Sequence, residues 1–249
     1  MPDSTIYLRV IDASANRACE ALRVIEDFVR FVQDDPFLVE NLKTLRHRLV
    51  QNVLKFPMPE RLAYRETEAD VGTRIETKTE FSRSSLQAVL DANFSRLQES
   101  LRSLEEFSKL TQPEAAREFE QMRYASYTLQ RVVFFTVTKD SPLRRLESKT
   151  LRAAEQGVWL AGGLKFTSDP LRAQDPEFAG FLRVSPASET VKNVRNQLGA
   201  EKLIGVCAAS VEEARAALLD GIDFLAAEDE ALARELERLT TLPVLIFGS

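Results

Sequence analysis

Four charged residues occur twice in this chain, in the same order. Arg17, Glu20, Arg23 and Glu26 recur as Arg96, Glu99, Arg102 and Glu105. A guanidinium group binds phosphate or carboxylate through two parallel hydrogen bonds. A carboxylate holds a hard cation such as Mg²⁺ or carries a proton. A set repeated in type and order therefore suits an anionic ligand. Two other arrangements use the same residues. One is a solvated helix face whose i,i+3 pairs contribute about 0.2–0.5 kcal/mol each. The other is a set of charge pairs buried where helices meet.

A second group is Arg65, Asp70, Gly72 and Arg74. Glycine beside Asp lets backbone approach a ligand, Arg can hold a phosphate, and Asp can hold Mg²⁺. A turn with surface charges explains the same residues. His47 is the one histidine and lies between Arg46 and Arg48. It is a candidate general base because imidazole titrates near neutrality, and it reads equally as structural. The chain has no GxxxxGK[ST], GxGxxG, GxSxG or HExxH motif, and Gly162-Gly163 alone is a weak phosphate signal. A nucleotide bound by the front half would have to be held by Arg and carboxylates.

These residues need helices to carry them. Of nine glycines, Gly72 alone precedes residue 150. Helix interiors avoid glycine, which costs about 1 kcal/mol relative to alanine. The front half is therefore expected to be helical and the glycine-bearing back half mixed α/β. Residues 12–28 and 91–107 match at eight of 17 positions with a shift of 79, against about one by chance from ordinary residue usage. Leu42, Leu45 and Arg46 correspond to Phe119, Met122 and Arg123 at a shift of 77. Each copy reads as a helical hairpin, and two copies as a four-helix bundle with a pseudo-twofold axis. Ala18, Ala21, Leu22, Ile25, Phe28, Val29 and Val32 share one face at helical spacing, with Glu20, Arg23, Asp27 and Arg30 opposite. Asp12 and Asp91 are candidate N-caps.

The expected domains are 1–140, with repeats at about 9–55 and 87–135, and 150–249. The linker 56–86 has two prolines near its start and is long for a bundle turn, which marks it as functional. In the back half, strands are expected at 158–161, 181–185, 203–208, 223–227 and 243–247. Helices are expected at 169–178, 187–198, 211–220 and 230–239. Strand–helix alternation implies about five parallel strands covered by helices. Ser210 with Glu213 reads as a capping box.

The net charge of -5 argues against a general nucleic-acid binder. Cys19 and Cys207 lie far apart without zinc spacing. The start has no signal-peptide pattern, and no run approaches the ~20 apolar residues of a spanning helix. The expectation is a cytoplasmic protein with no nucleic acid and no membrane as partner.

The segments 10–28, 45–49, 65–72 and 91–107 together resemble one family over about residues 6–135. It is the helical domain found in front of thiamine phosphate synthase in bacteria, a monofunctional hydroxymethylpyrimidine phosphate kinase. The resemblance implies ATP as co-substrate, Mg²⁺, and a phosphorylated pyrimidine and a nucleotide as ligands. On that reading we assign Arg17, Arg23, Arg46, Arg65, Arg96, Arg102 and Arg123 as phosphate-holding candidates, with Gly72 beside them. Asp70, Glu20 and Glu99 are candidates for the metal or the base, with His47 a further catalytic candidate. Residues 204–214 and 221–225 resemble, more faintly, the middle of the synthase barrel. A complete (β/α)₈ barrel takes about 200 residues or more. The back half therefore reads as a reduced (β/α) barrel lacking opening strands and a glycine-rich phosphate loop after Phe247. Two other functions stay open: coupling of pyrimidine diphosphate to thiazole phosphate, and a non-catalytic thiamine-pathway binding protein. A homodimer is also left open.

Overall fold

The computed structural model describes residues 6–66, 82–138, 146, 150–185 and 189–248. Chain contacts divide it into two compact units, Met1–Val32 with Val39–Tyr127, and Gln33–Leu38 with Thr128–Ser249.

The helices of this part are α1 (Tyr7–Phe28), α2 (Pro36–Val53), the short α3 (Met58–Ala63), α4 (Leu86–Ser108) and α5 (Pro113–Thr138), and the first unit takes α2 from Val39 and α5 up to Tyr127. The central packing is α1 against α4. Leu8, Ile11, Ala15, Ala18, Leu22 and Ile25 form the buried stripe of α1, and Leu90, Phe94, Leu97, Leu101 and Leu104 that of α4. Both follow the three-and-four spacing that keeps apolar groups on one helix face.

Neither aspartate expected as a cap is one. α1 begins five residues before Asp12, which is buried inside the helix. α4 is capped by Ser85, whose hydroxyl accepts from Ala88 N at 3.1 Å. The apolar face of α1 also ends early. A π turn over Val29–Gln33 adds a residue and rotates the chain beyond it, so Val32 is 53% exposed.

The C-terminal architecture corrects the expected fold class. It is a closed barrel of seven strands with mixed directions, where about five parallel strands were expected. The strands are β1 (Thr150–Glu155), β2 (Val158–Ala161), β3 (Leu164–Thr167), β4 (Gly180–Arg183), β5 (Leu203–Cys207), β6 (Phe224–Ala227) and β7 (Val244–Phe247). β1, β2 and β3 form an antiparallel meander, and every pairing from β3 to β7 is parallel. β7 pairs in parallel with β1 and closes the ring.

β1 and β3 lack the continuous apolar runs that mark buried strands. β1 buries Leu151 alone among its six residues. The glycine pair is a hairpin turn between β2 and β3, with φ of 54° at Gly162 and 77° at Gly163. Two consecutive positive φ values match a tight two-residue hairpin. The helix expected over 169–178 shrinks to one 3₁₀ turn, Arg172–Gln174, between Pro170 and Pro176. Among the described residues the further helices are α6 (Val191–Leu198), α7 (Val211–Leu219) and α8 (Glu230–Leu239), capped by Thr190, Ser210 and Asp229.

Leu151, Ala161, Phe166, Leu182, Leu203, Phe224, Ala226 and Leu245 fill the barrel core. The Phe166 and Phe224 rings lie 4.9 Å apart. A Cβ on Gly205 would fall 2.1 Å from Cζ of Phe224, a ring with no exposed surface. Overpacking a dense core costs about 1–3 kcal/mol. Gly205→Ala is therefore expected to lower stability by about that amount, read from the urea midpoint of the transition that reports the barrel. An unchanged midpoint would mean the Phe224 ring is free to move.

No described helix is long and apolar enough to cross a membrane.

Candidate functional site

A cleft opens between α1 and α4. Ser14 and Arg17 of α1, with Ala92, Ser95, Arg96, Glu99, Ser100 and Ser103 of α4, line about 500 Å³. A second hollow of about 410 Å³ is lined by Ser95, Gln98, Glu99 and Arg102 of α4 and by Arg123 and Tyr127 of α5. Ser95 and Glu99 line both, so the hollows adjoin. The α4 residues recur at three- and four-residue steps and so share one stripe of the helix. Its alanine and serines leave space and supply hydroxyl groups.

The charges in this space are unequal. Among the described residues, Arg17, Arg96 and Glu99 make no hydrogen bond or ion pair. Arg102 contacts Glu105 at 2.8 Å and Glu106 at 2.7 Å. Arg123 contacts Glu105 at 3.0 Å and lies 4.8 Å from the centre of the Tyr124 ring. Burial works against the charge on Arg123, but hydrogen bonds to Tyr127 and Glu105 outweigh it and raise the pKa. Among the described residues of this space, Arg17 and Arg96 are the cations without an ion-pair partner, and Glu99 is the carboxylate without one.

Three groups among the repeated charges separate in space. Glu26 with Arg46, at 3.0 Å, and Glu105 with Arg123, at 3.1 Å, are the same buried pair made twice. Arg17, Arg96 and Glu99 meet at the cleft, and Arg102 joins its neighbouring hollow. Glu20 and Arg23 are exposed on α1 and line neither space, as is His47 on α2. Cys19 lies near them, and burial raises its pKa against the lowering fields of Arg46 and Arg23.

Arg65 is held elsewhere. Its Nε donates to Asp12 Oδ2 at 2.7 Å and its Nη2 to Oδ1 at 3.0 Å. Hydrogen bonding to Asp12 raises its pKa. Arg61 donates to the same carboxylate at 3.2 Å and to the Phe56 carbonyl at 3.1 Å. Asp12 thus pins the 56–65 segment onto α1. Asp70, Gly72 and Arg74 lie outside the described residues. Among the described residues no three of His, Cys, Asp or Glu gather as a metal cage, and Glu99 by itself does not make one.

Sequence reasoning missed Tyr127, Gln98 and the serines. The signal was available: Ser95, Glu99 and Ser103 recur every four residues, and Tyr127 stands where the first copy has Val50 at the 77-residue shift.

The model of the ThiD2 family matches residues 9–132, the part of the chain that holds the cleft. A thiamine-phosphate synthase of Nostoc punctiforme is 30% identical over 257 residues, covering 88% of this chain and 72% of the relative. The chain belongs to the thiamine-phosphate synthase family. That membership places it in thiamine biosynthesis, among transferases. Thiamine-phosphate synthases of Rhodopirellula baltica and Thermosynechococcus vestitus are 41% and 38% identical over 125 and 143 residues. Those alignments cover 50% and 57% of this chain but 33% and 39% of the two relatives. No solved structure matches.

The kinase assignment is overturned by these relatives, which are named for thiamine-phosphate synthesis rather than for phosphoryl transfer. ATP finds no support in them as a co-substrate. The synthase family and the expected kinase have the thiamine pathway in common, not the reaction.

Proposed function

We propose that this protein acts in the formation of thiamine phosphate, coupling hydroxymethylpyrimidine diphosphate to thiazole phosphate with diphosphate as the leaving group. The observation that supports the reading most is the similarity to a thiamine-phosphate synthase, 30% identical over an alignment that covers 88% of the chain. The helical cleft adds to it. Arg17 and Arg96 supply positive charge without ion-pair partners among the described residues, and four serines line the same space. Charge-assisted hydrogen bonds to phosphate are about twice as strong as neutral ones. The cleft therefore holds the phosphorylated pyrimidine.

The test is direct. The full chain is incubated with hydroxymethylpyrimidine diphosphate and thiazole phosphate in a magnesium buffer, and thiamine phosphate and released diphosphate are measured. The two products are expected in equal amounts. Their absence from folded protein would overturn the synthase reading.

A second reading has its own support, because the matched ThiD2 region and the charged cleft fall within the same 9–132 segment. In that reading the protein captures the phosphorylated pyrimidine without transforming it. Binding in calorimetry with no turnover would favour it.

A further inference from the structure

The outward face of α1 carries the same order of charges as that of α4 but leaves them unused. Glu20, Arg23, Asp27 and Arg30 correspond to Glu99, Arg102, Glu106 and Lys109 at the shift of 79. On α4 the charges satisfy one another along the helix. Glu106 meets Arg102 at 2.7 Å and Lys109 at 2.8 Å. On α1 and the π turn after it all four are exposed, and among the described residues none of them makes an ion pair. Asp27 is shorter by a methylene than the glutamate at the equivalent position. Arg30 lies over the Phe31 ring, 4.9 Å from its centre.

Two apolar side chains stand among these charges. Val24 is 38% exposed where α4 has Ser103, and Phe31 is 65% exposed. The four charges step by three, four and three residues, the spacing of a coiled-coil seam. Their signs are arranged symmetrically about Ile25. Glu20 and Arg30 are equally distant from it in sequence, as are Arg23 and Asp27. A second copy of this helix, laid antiparallel about a twofold axis at that point, sets every acid opposite a base. A parallel copy would set each charge against its own kind, which is repulsive.

We infer that the outward face of α1 docks on the same face of a second copy of this chain, antiparallel. Glu20 faces Arg30 of the partner subunit, Arg23 faces Asp27 of the partner subunit, and Val24 and Phe31 are covered. Glu20 to Arg30 spans about 15 Å of helix. Such a contact is smaller than the standard interface of about 1,600 Å². The dimer is therefore weak and forms at roughly 10–100 μM chain. The charges set its register more than its strength.

The experiment is sedimentation of the full chain at about 100 μM, at low salt. Wild type is expected to dimerise. Arg23→Glu sets carboxylate against carboxylate across the axis and is expected to weaken the dimer at least about tenfold. Asp27→Arg does the same with guanidinium groups. Each variant is first checked for wild-type circular dichroism. An equal mixture of the two variants is expected to regain the dimer. The introduced glutamate of one chain then meets the introduced arginine of the other, and the native pair remains across the axis. A wild type that stays monomeric overturns the docking. A dimer that survives either reversal by itself places the contact on another surface and overturns it too. Folded variants that are monomeric apart and stay so when mixed overturn the antiparallel register.

Discussion

Replacing Asp12 with alanine is expected to destabilise the helical unit by about 3–5 kcal/mol. The carboxylate side chain is 4% exposed and faces Arg61, itself 7% exposed. Removing one member of a buried pair leaves the other charge without compensation, and that penalty is of this size. Loss of the Arg65 contact adds little, because that side chain is 44% exposed and returns to water. The measurement is urea unfolding of wild type, Asp12→Ala, Arg61→Leu and the double variant. Because the penalty comes from the stranded guanidinium, the double variant should recover much of the loss in the single aspartate variant. A loss below about 1 kcal/mol for Asp12→Ala would show that water reaches Arg61 and that the anchor is weak.

The second large effect falls on binding, with stability almost untouched. Arg17 and Arg96 are exposed and have no ion-pair partner among the described residues. Surface substitutions of that kind usually change stability by less than about 0.5 kcal/mol. A hydrogen bond to a charged group contributes about 1.5–3 kcal/mol. The double variant Arg17→Gln, Arg96→Gln should therefore lose roughly 10²- to 10⁴-fold in affinity for the phosphorylated pyrimidine. Arg23→Gln, exposed but outside the lining of both hollows, should leave affinity unchanged. Equal losses from Arg23 and from the Arg17 and Arg96 pair would point to a diffuse field rather than a built pocket. Wild-type affinity should also fall as salt rises, since an accessible charge pair is screened within about a Debye length.

The repeat could be read from sequence because residue types and spacing are visible there. The different tasks of its charges were not. Arg17, Glu20, Arg23 and Glu26 step by three, and each step turns back by roughly 60° on a helix of 3.6 residues per turn. Over nine residues the ladder crosses to the other side. Arg17 consequently faces the cleft, Glu20 and Arg23 face solvent, and Glu26 is buried against Arg46. A ladder that looks uniform in sequence is a spiral in space. The pairing of Asp12 with Arg61 and Arg65 was invisible for another reason. It joins residues 49 and 53 positions apart, and no local pattern encodes it.

The back half shows the same boundary between local and distant information. The runs at Leu203–Cys207, Phe224–Ala227 and Val244–Phe247 are continuously apolar or small, and strands formed there. β1 carries one buried residue and depends on β2 and β7 for its conformation. Its existence is a property of the closed ring, which is why periodicity alone yielded a shorter sheet.

That closure has a consequence for how the barrel is born. Thr150 and Leu151 pair with Ile246 and Phe247, almost a hundred positions later. During synthesis the ring therefore stays open until the segment from Val244 onward has emerged. Until then β1 and β6 each present an unpaired backbone edge, the kind of surface that recruits strands from other chains. Nascent chains stopped just before Val244 should be markedly more prone to aggregation than those a few residues longer, and β7 then serves as the chain's own shield against self-association.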